Sequence, residues 1–208
     1  MPASSAALQA AENAAARPEL ADEALLLRRA RGGDADAWAA IYALYQGPIF
    51  RFCRHALGHT EDAEDAAAEV LFKARMALDR FDLARPFSPW LYRVAANHCM
   101  DMLRRRGRQA LSDGDIEAMP LPQPGSDQLE QLIARQSGEQ VRAGLAMLPE
   151  RARMILLLRY YGELSYDEIA ATMRVPRPYV GVLLLRARQA LRESLSGNGR
   201  EGPPGGQS

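Results

Sequence analysis

Between Gly107 and Gly125 this chain cannot hold a packed helix. Gly107, the run Asp113-Gly114-Asp115, Pro120, Pro122, Pro124 and Gly125 all fall there. Proline has no N–H to donate, and its ring clashes with the carbonyl one turn back. The stretch is also acidic, with Asp113, Asp115, Glu117, Asp127 and Glu130. It reads as a linker over 109–135. The 208-residue chain is thereby cut into two pieces, each the size of a small domain.

Both pieces carry a helical period. In the first, a short helix over Ala24–Ala30 ends at Gly32-Gly33. Over Asp34–Leu57, the residues Trp38, Ile41, Tyr42, Tyr45, Ile49, Phe50 and Phe52 recur three or four apart, which marks an amphipathic helix. Gly58-His59 ends it, and Thr60 is the expected cap of a helix running to about Phe81. Asp82–Ser88 reads as a loop around Pro86, and Pro89–Arg106 as a helix ending in a basic run. In the second piece the period returns near Gln136. A helix starts beside Pro149, where a missing N–H costs little, and stops at Gly162. No segment has the two-residue period of a strand. The expected fold class is all-α, with two small helical domains over 22–108 and 136–195. Residues 1–21 and 196–208 read as disordered tails.

Composition narrows the function. Hydrophobic residues make up 48%, enough for packed cores. Lys+Arg and Asp+Glu are both 26, so no overall basic excess advertises a nucleic-acid partner. The two cysteines, Cys53 and Cys99, form no disulfide framework. No stretch is apolar for the length a bilayer requires, and no secretory leader is evident, so a cytoplasmic chain is expected. Cys53, His55 and His59 have C-x-H-x3-H spacing, with His98-Cys99 elsewhere. Helical spacing turns Cys53 away from His55, so no metal is expected; a buried Cys and surface His is the preferred reading. Gly-rich phosphate loops, nucleophile elbows and paired carboxylates are missing from the sequence, which speaks against an enzyme and against cofactors.

The strongest local signal lies near the end. Ser165-Tyr166-Asp167-Glu168 is a capping box: the serine caps the helix start and the glutamate reaches back. Val175-Pro176 makes a turn. Val180, Leu184, Ala187 and Leu191 then recur at i, i+4, i+7, i+11. Two short helices joined this way form a helix-turn-helix, whose second helix can enter a major groove. A plain helical hairpin with solvated arginines fits the same pattern.

At this point the sequence resembles a known family. Leu148-Pro149-Glu150-Arg151-Ala152-Arg153, Leu156-Leu157-Leu158-Arg159-Tyr160-Tyr161, Leu164-Ser165-Tyr166-Asp167-Glu168-Ile169-Ala170, Val175-Pro176 and Arg186-Ala187-Arg188-Gln189-Ala190-Leu191 resemble domain 4 of the extracytoplasmic-function (ECF) subgroup of sigma-70 factors. Asp62-Ala63-Glu64-Asp65, Glu69, Ala77-Leu78-Asp79-Arg80-Phe81, Arg85-Pro86-Phe87, Trp90-Leu91-Tyr92-Arg93-Val94-Ala95, Asn97, and Asp101 before Arg104-Arg105-Arg106 resemble its domain 2.

The resemblance implies a factor that binds core RNA polymerase, through its beta-prime clamp and beta subunits, and opens promoter DNA. It implies polymerase contacts at Asp65, Glu69, Phe72, Arg80 and Phe81. It implies capture of a flipped base and contact with melting DNA at Arg85, Phe87, Trp90, Arg93, Asn97, Arg104 and Arg105. Flipping costs a few kcal/mol of stacking, which aromatic or arginine faces must return. Tyr92 reads better as a core aromatic. Upstream duplex contacts fall to Arg177, Tyr179, Arg186 and Arg188. An anti-sigma factor is an implied partner.

The sequence departs from the family in places. Residues 66–68 are all alanine, and Arg75 stands where an aromatic is common. The face of the second helix-turn-helix helix reads Gly181, Val182, Leu183 and Leu185 rather than hydrogen-bond donors. An exposed apolar stripe marks a partner surface. It motivates an alternative: a sigma-like regulator that binds polymerase or an anti-sigma factor but reads DNA weakly.

Overall fold

The structure, a computed structural model, describes residues 20–106 and 138–197. The linker expected over 109–135 and nearly all of both tails lie outside the described residues. Among the described residues there are eight α-helices and no strand. In chain order they are α1 (Leu20–Arg31), α2 (Ala35–Leu57), α3 (Thr60–Ala77), α4 (Phe87–Arg105), α5 (Gly138–Ala146), α6 (Glu150–Tyr160), α7 (Tyr166–Met173) and α8 (Arg177–Gly197). A 3₁₀ turn, Leu78–Arg80, follows α3.

Local chemistry sets most of the boundaries. Asp34 caps α2, its carboxylate accepting from the Ala37 N–H at 3.0 Å. Gly58 ends α2 at φ 84°, a left-handed conformation that suits a residue without Cβ. The cap expected at Thr60 sits one residue earlier. His59 holds the extended cap geometry without a side-chain bond, and Thr60 is already helical. Pro86 is the cap of α4, so Phe87, expected in a loop, stands in its first turn. Phe87, Leu91 and Ala95 then follow at four-residue spacing, and all three are buried.

The first group of helices packs around α2, which touches α1, α3 and α4. Its core holds Ile41, Ile49, Phe52, Leu57, Leu71, Phe87, Leu91 and Leu103, each below 2% exposed. Alanines 63, 66, 67 and 74 line the buried side of α3 and allow close approach to its neighbours. Cys53 and Cys99 are free and buried, their sulfurs 3.8 Å apart. Cys53 and burial together push the Cys99 thiol well up, so it stays protonated and inert. Among the described residues no group of three or more His, Cys, Asp or Glu gathers to hold a metal.

In the second group α6 is central, packed by α7 and α8, while α5 packs on α8. Residues 151–158 of α6 are all buried, Arg151 and Arg153 included. Cover on every side needs more than the second group supplies. It comes from α2 and α4, which also touch α6. His55 is correspondingly buried at 8% exposure, not at the surface as expected, because Tyr161 packs over it.

Candidate functional site

Three surfaces carry the residues singled out above. On α3, Asp65, Glu69 and Phe72 form one outward stripe at helical spacing, and Met76 extends it. Phe72 is 60% exposed and Met76 67%. Met76 was missed in the sequence, although its four-residue offset from Phe72 was visible. Lys73 ties the stripe to α4, with Nζ 3.3 Å from Glu69 Oε1 and 2.9 Å from His98 Nδ1. Burial, then the Lys73 charge, holds the His98 imidazole below its ordinary value. Phe72, Asp65 and Glu69 share a shallow hollow with His98, Met102 and Arg105. Arg105, expected with the DNA residues, thus opens onto the α3 side. Arg80 is exposed in the 3₁₀ turn, but Phe81 is only 5% exposed. Its ring belongs to the core rather than to an open docking face.

The second surface is the turn before α4 with the outer side of that helix. Asp82 Oδ1 accepts from the Ala84 N–H at 3.0 Å, and the Asp82 carbonyl from the Arg85 N–H at 3.0 Å. This tight turn holds Arg85 outward, 73% exposed, with Nε 3.6 Å from Asp82 Oδ2. Behind it four rings interlock. Phe87 lies 5.4 Å from Tyr45, 5.4 Å from Phe81 and 5.3 Å from Trp90, centroid to centroid. Phe87 is fully buried, which corrects its expected role: it has no open face for a base and instead backs Trp90. Trp90 is half-buried, Arg93 is half-buried and Asn97 exposed, at i, i+3 and i+7 along one side of α4. Tyr92 is a core residue beside Phe52, at 5.3 Å. Arg104 pairs with Asp101 at 2.7 Å, and Arg106 clamps Asp62 at the start of α3 with two nitrogens. That pairing raises the Arg106 pKa further. Arg75 is placed by Trp38, its guanidinium carbon 5.5 Å from the ring centre.

The third surface is the helix-turn-helix. The capping box is complete: the Glu168 N–H donates to Ser165 Oγ at 3.3 Å, and the Ser165 N–H to Glu168 Oε2 at 2.9 Å. Arg174 ends α7 at φ 56°, ψ 48°, unusual for a residue with a side chain, and turns the chain into α8. Arg177 is 63% exposed and sits 2.6 Å from Asp167 Oδ1. Tyr179, Arg186 and Arg188 are half-buried, with Arg186 Nη1 3.5 Å from the Tyr179 hydroxyl. The expected apolar stripe is narrower than the sequence suggested. Leu183 is 1% exposed, part of a core band with Val180, Leu184, Ala187 and Leu191. Leu185 is partly exposed, at 37%, and Val182 is half-buried.

Residues 41–109 match the Sigma-70 region 2 family and residues 138–191 match Sigma-70, region 4. The ECF RNA polymerase sigma factor SigW of Bacillus subtilis is 29% identical over 176 residues, covering 81% of this chain and 94% of its own. The ECF RNA polymerase sigma-E factor of Escherichia coli K12 is 32% identical over 180 residues, covering 83% and 93%. The chain belongs to the ECF subgroup of the sigma-70 family. It is an RNA polymerase sigma factor: it binds core polymerase and promoter DNA and directs initiation, without catalysing a reaction.

Two solved structures share the fold of this sigma factor. CnrH, solved with the cytosolic domain of CnrY, aligns with TM-score 0.57 at 22% identity, covering 85% of this chain and 99% of that one. RpoE of Bartonella quintana, solved with the anti-sigma factor NepR, aligns with TM-score 0.57 at 23% identity, covering 76% and 96%. No described helix of this sigma factor is long and apolar enough to cross a membrane.

Proposed function

We propose how this sigma factor divides its work among the three surfaces. Residues 22–108 act as domain 2 and residues 136–195 as domain 4, joined by the linker over 109–135. The α3 stripe of Asp65, Glu69, Phe72 and Met76 docks on the beta-prime clamp of core polymerase, with Arg80 at its edge. Phe81 supports that contact from below. Arg85 and Trp90 capture a flipped promoter base, with Arg93 and Asn97 along the melting strands and Arg104 and Arg105 towards phosphates. Arg177, Tyr179, Arg186 and Arg188 hold the upstream duplex, chiefly through its backbone. An anti-sigma factor, of the kind that partners the Bartonella quintana protein, competes for these surfaces in the cytoplasm.

The observation that carries the reading is Phe72. A phenylalanine 60% exposed one turn after Glu69, with Met76 67% exposed one turn further on, supports a protein-docking role. The weak-reading alternative loses ground because Leu183, one of its three extra apolar residues, lies in the core. The test is in vitro transcription with core polymerase on a genomic promoter library. Run-off from defined start sites is expected. Association with polymerase without initiation would favour the alternative, and no association would overturn both.

A further inference from the structure

The second helix of the helix-turn-helix turns outward a side with almost nothing to donate. On α8, Pro178, Val182 and Leu185 fall at i, i+4 and i+7, opposite the core band of Val180, Leu183, Leu184 and Ala187. Pro178 is exposed, Leu185 is 37% exposed and Val182 is half-buried. None of the three has a hydrogen-bonding side chain, and Gly181 beside them has no side chain at all. At 3.6 residues per turn, arginines fall along both flanks of this apolar ridge. Arg177 and Arg188 lie on one flank, and Arg186 lies with Tyr179 on the other. Each flank has a fixed point: Arg177 Nε is 2.6 Å from Asp167 Oδ1 of α7, and Arg186 Nη1 is 3.5 Å from the Tyr179 hydroxyl. The first acid on α8, Glu193, comes only after Leu191.

An apolar ridge between two cationic flanks has the cross-section of a major groove in reverse. The groove has two phosphate walls, which attract arginine, and a floor of base edges. That floor offers donors and acceptors at every base pair but a single apolar group, the 5-methyl of thymine. A ridge of Val182 and Leu185 leaves the donors and acceptors unread and can bury the methyl. The residues that reach base edges lie in the N-terminal part of such a helix, where these two stand. The paired flanking charge favours duplex over a protein partner. Resting on the upstream role proposed for this helix-turn-helix, we infer that Val182 and Leu185 read sequence by contact with thymine methyl groups, while Arg177, Arg186 and Arg188 hold the phosphate walls. One buried methyl discriminates far less than a bidentate hydrogen-bonded pair. The arginines therefore carry most of the affinity, and the ridge supplies a shallow preference for thymine at the positions it faces.

The experiment uses the full chain bound to core polymerase and a promoter duplex recovered from the run-off start sites. In one form of the duplex every thymine of the upstream segment is replaced by deoxyuridine, which lacks only the 5-methyl and still pairs with adenine. A control form carries the same exchange outside the footprint. Competition binding gives the thymine-to-uracil affinity ratio. The uracil form is expected to bind about 4-fold more weakly for each methyl in contact, the effect of one buried methyl. The control form should bind unchanged. Leu185→Ala and Val182→Ala should each weaken the thymine form and draw the ratio towards one, because the methyl has lost its partner. Arg177→Ala should weaken both forms equally, keep the ratio and flatten the salt dependence. If Val182→Ala lowers the helical circular-dichroism signal, Leu185→Ala alone decides. A ratio near one in the unaltered protein overturns the methyl contact. A ratio that persists in both alanine variants also overturns it, since DNA shape is then what is read. So does a Leu185→Ala chain that loses core polymerase and treats both duplexes alike, since the ridge is then a protein face. Arginine variants that still weaken binding in these cases leave the upstream role standing; Arg177→Ala and Arg186→Ala with unchanged affinity and salt dependence bring that role down as well.

Discussion

The indole of Trp90 rests against the ring of Phe81, with 4.8 Å between centroids and 44° between planes. Phe87 completes the support at 5.3 Å and 37°. Each such pair contributes roughly 0.5–1.5 kcal/mol beyond burial, enough to fix a half-buried ring in one orientation. A held ring returns more stacking energy to a captured base than a mobile one, because its ordering cost is met on folding. Trp90→Ala is therefore expected to remove about 1–3 kcal/mol of stacking, a loss of roughly 5- to 150-fold in open complex. Affinity for core polymerase should be unchanged. Permanganate footprinting of the melted strand, beside a polymerase binding assay, checks both. Equal melting by the variant would remove Trp90 from the base-capture site.

Phe72 and Leu71 are neighbours with opposite environments, at 60% and 1% exposure. Their alanine variants should separate binding from folding. Phe72→Ala leaves stability within about 0.5 kcal/mol, as surface changes do. If Phe72 anchors the polymerase contact, it weakens core binding by about 30-fold or more, the level of an interface hot spot. Leu71→Ala should instead cost about 2–5 kcal/mol of stability. Urea unfolding and a competition assay for core polymerase give the two readouts. Unchanged binding by Phe72→Ala would move the docking face elsewhere.

Gly181 lies inside α8, where a glycine weakens the helix relative to alanine, and neither its backbone conformation nor its packing requires one. Its φ is not in the left-handed range, and a Cβ added there meets only Tyr166 Cε2, at an ordinary 3.7 Å. Gly181→Ala is expected to stabilise the fold by about 0.5–1 kcal/mol through helix propensity alone. Because Gly181 is half-buried beside Tyr166, affinity for upstream duplex should hold. Thermal melting and a duplex-binding titration test this. A marked drop in affinity would mean that DNA backbone approaches Gly181 more closely than any side chain permits.

Features set within a few residues were legible in the sequence. The Ser165–Glu168 capping box and the starts of α2 and α6 depend on neighbours along the chain, and periodicity gave the helices. What was missed depends on distant neighbours. Phe87 read as a loop aromatic, yet starting α4 at Phe87 turns it inward onto Tyr45 of α2. His55 read as surface because nothing nearby announces Tyr161. Leu183 read as an extra apolar residue because it falls outside the recurrence of Val180, Leu184, Ala187 and Leu191. A helix packed by α5, α6 and α7 together buries a wider band. For the site, residue types on α3 and α4 were legible, but which rings are open and which are supports emerged only from packing.

The chain of Glu69, Lys73 and His98 makes the α3 hollow sensitive to pH. Burial first, and the Lys73 ammonium second, hold His98 below its ordinary value of 6.5. The folded chain therefore resists a proton that the unfolded chain accepts. Between 6.5 and the lower folded value the unfolded state binds more protons, so stability is greatest above about 6.5 and falls as pH drops through that window. His98→Gln should flatten this part of the stability–pH curve. Lys73→Met, which removes the second cause and leaves burial, should shrink it without abolishing it. Urea unfolding at closely spaced pH values measures the slopes, and an NMR titration of the His98 ring in the Lys73→Met variant should show its pKa moving up. A parent and a His98→Gln chain with the same slope below 6.5 would show that Lys73 and burial do not govern this imidazole.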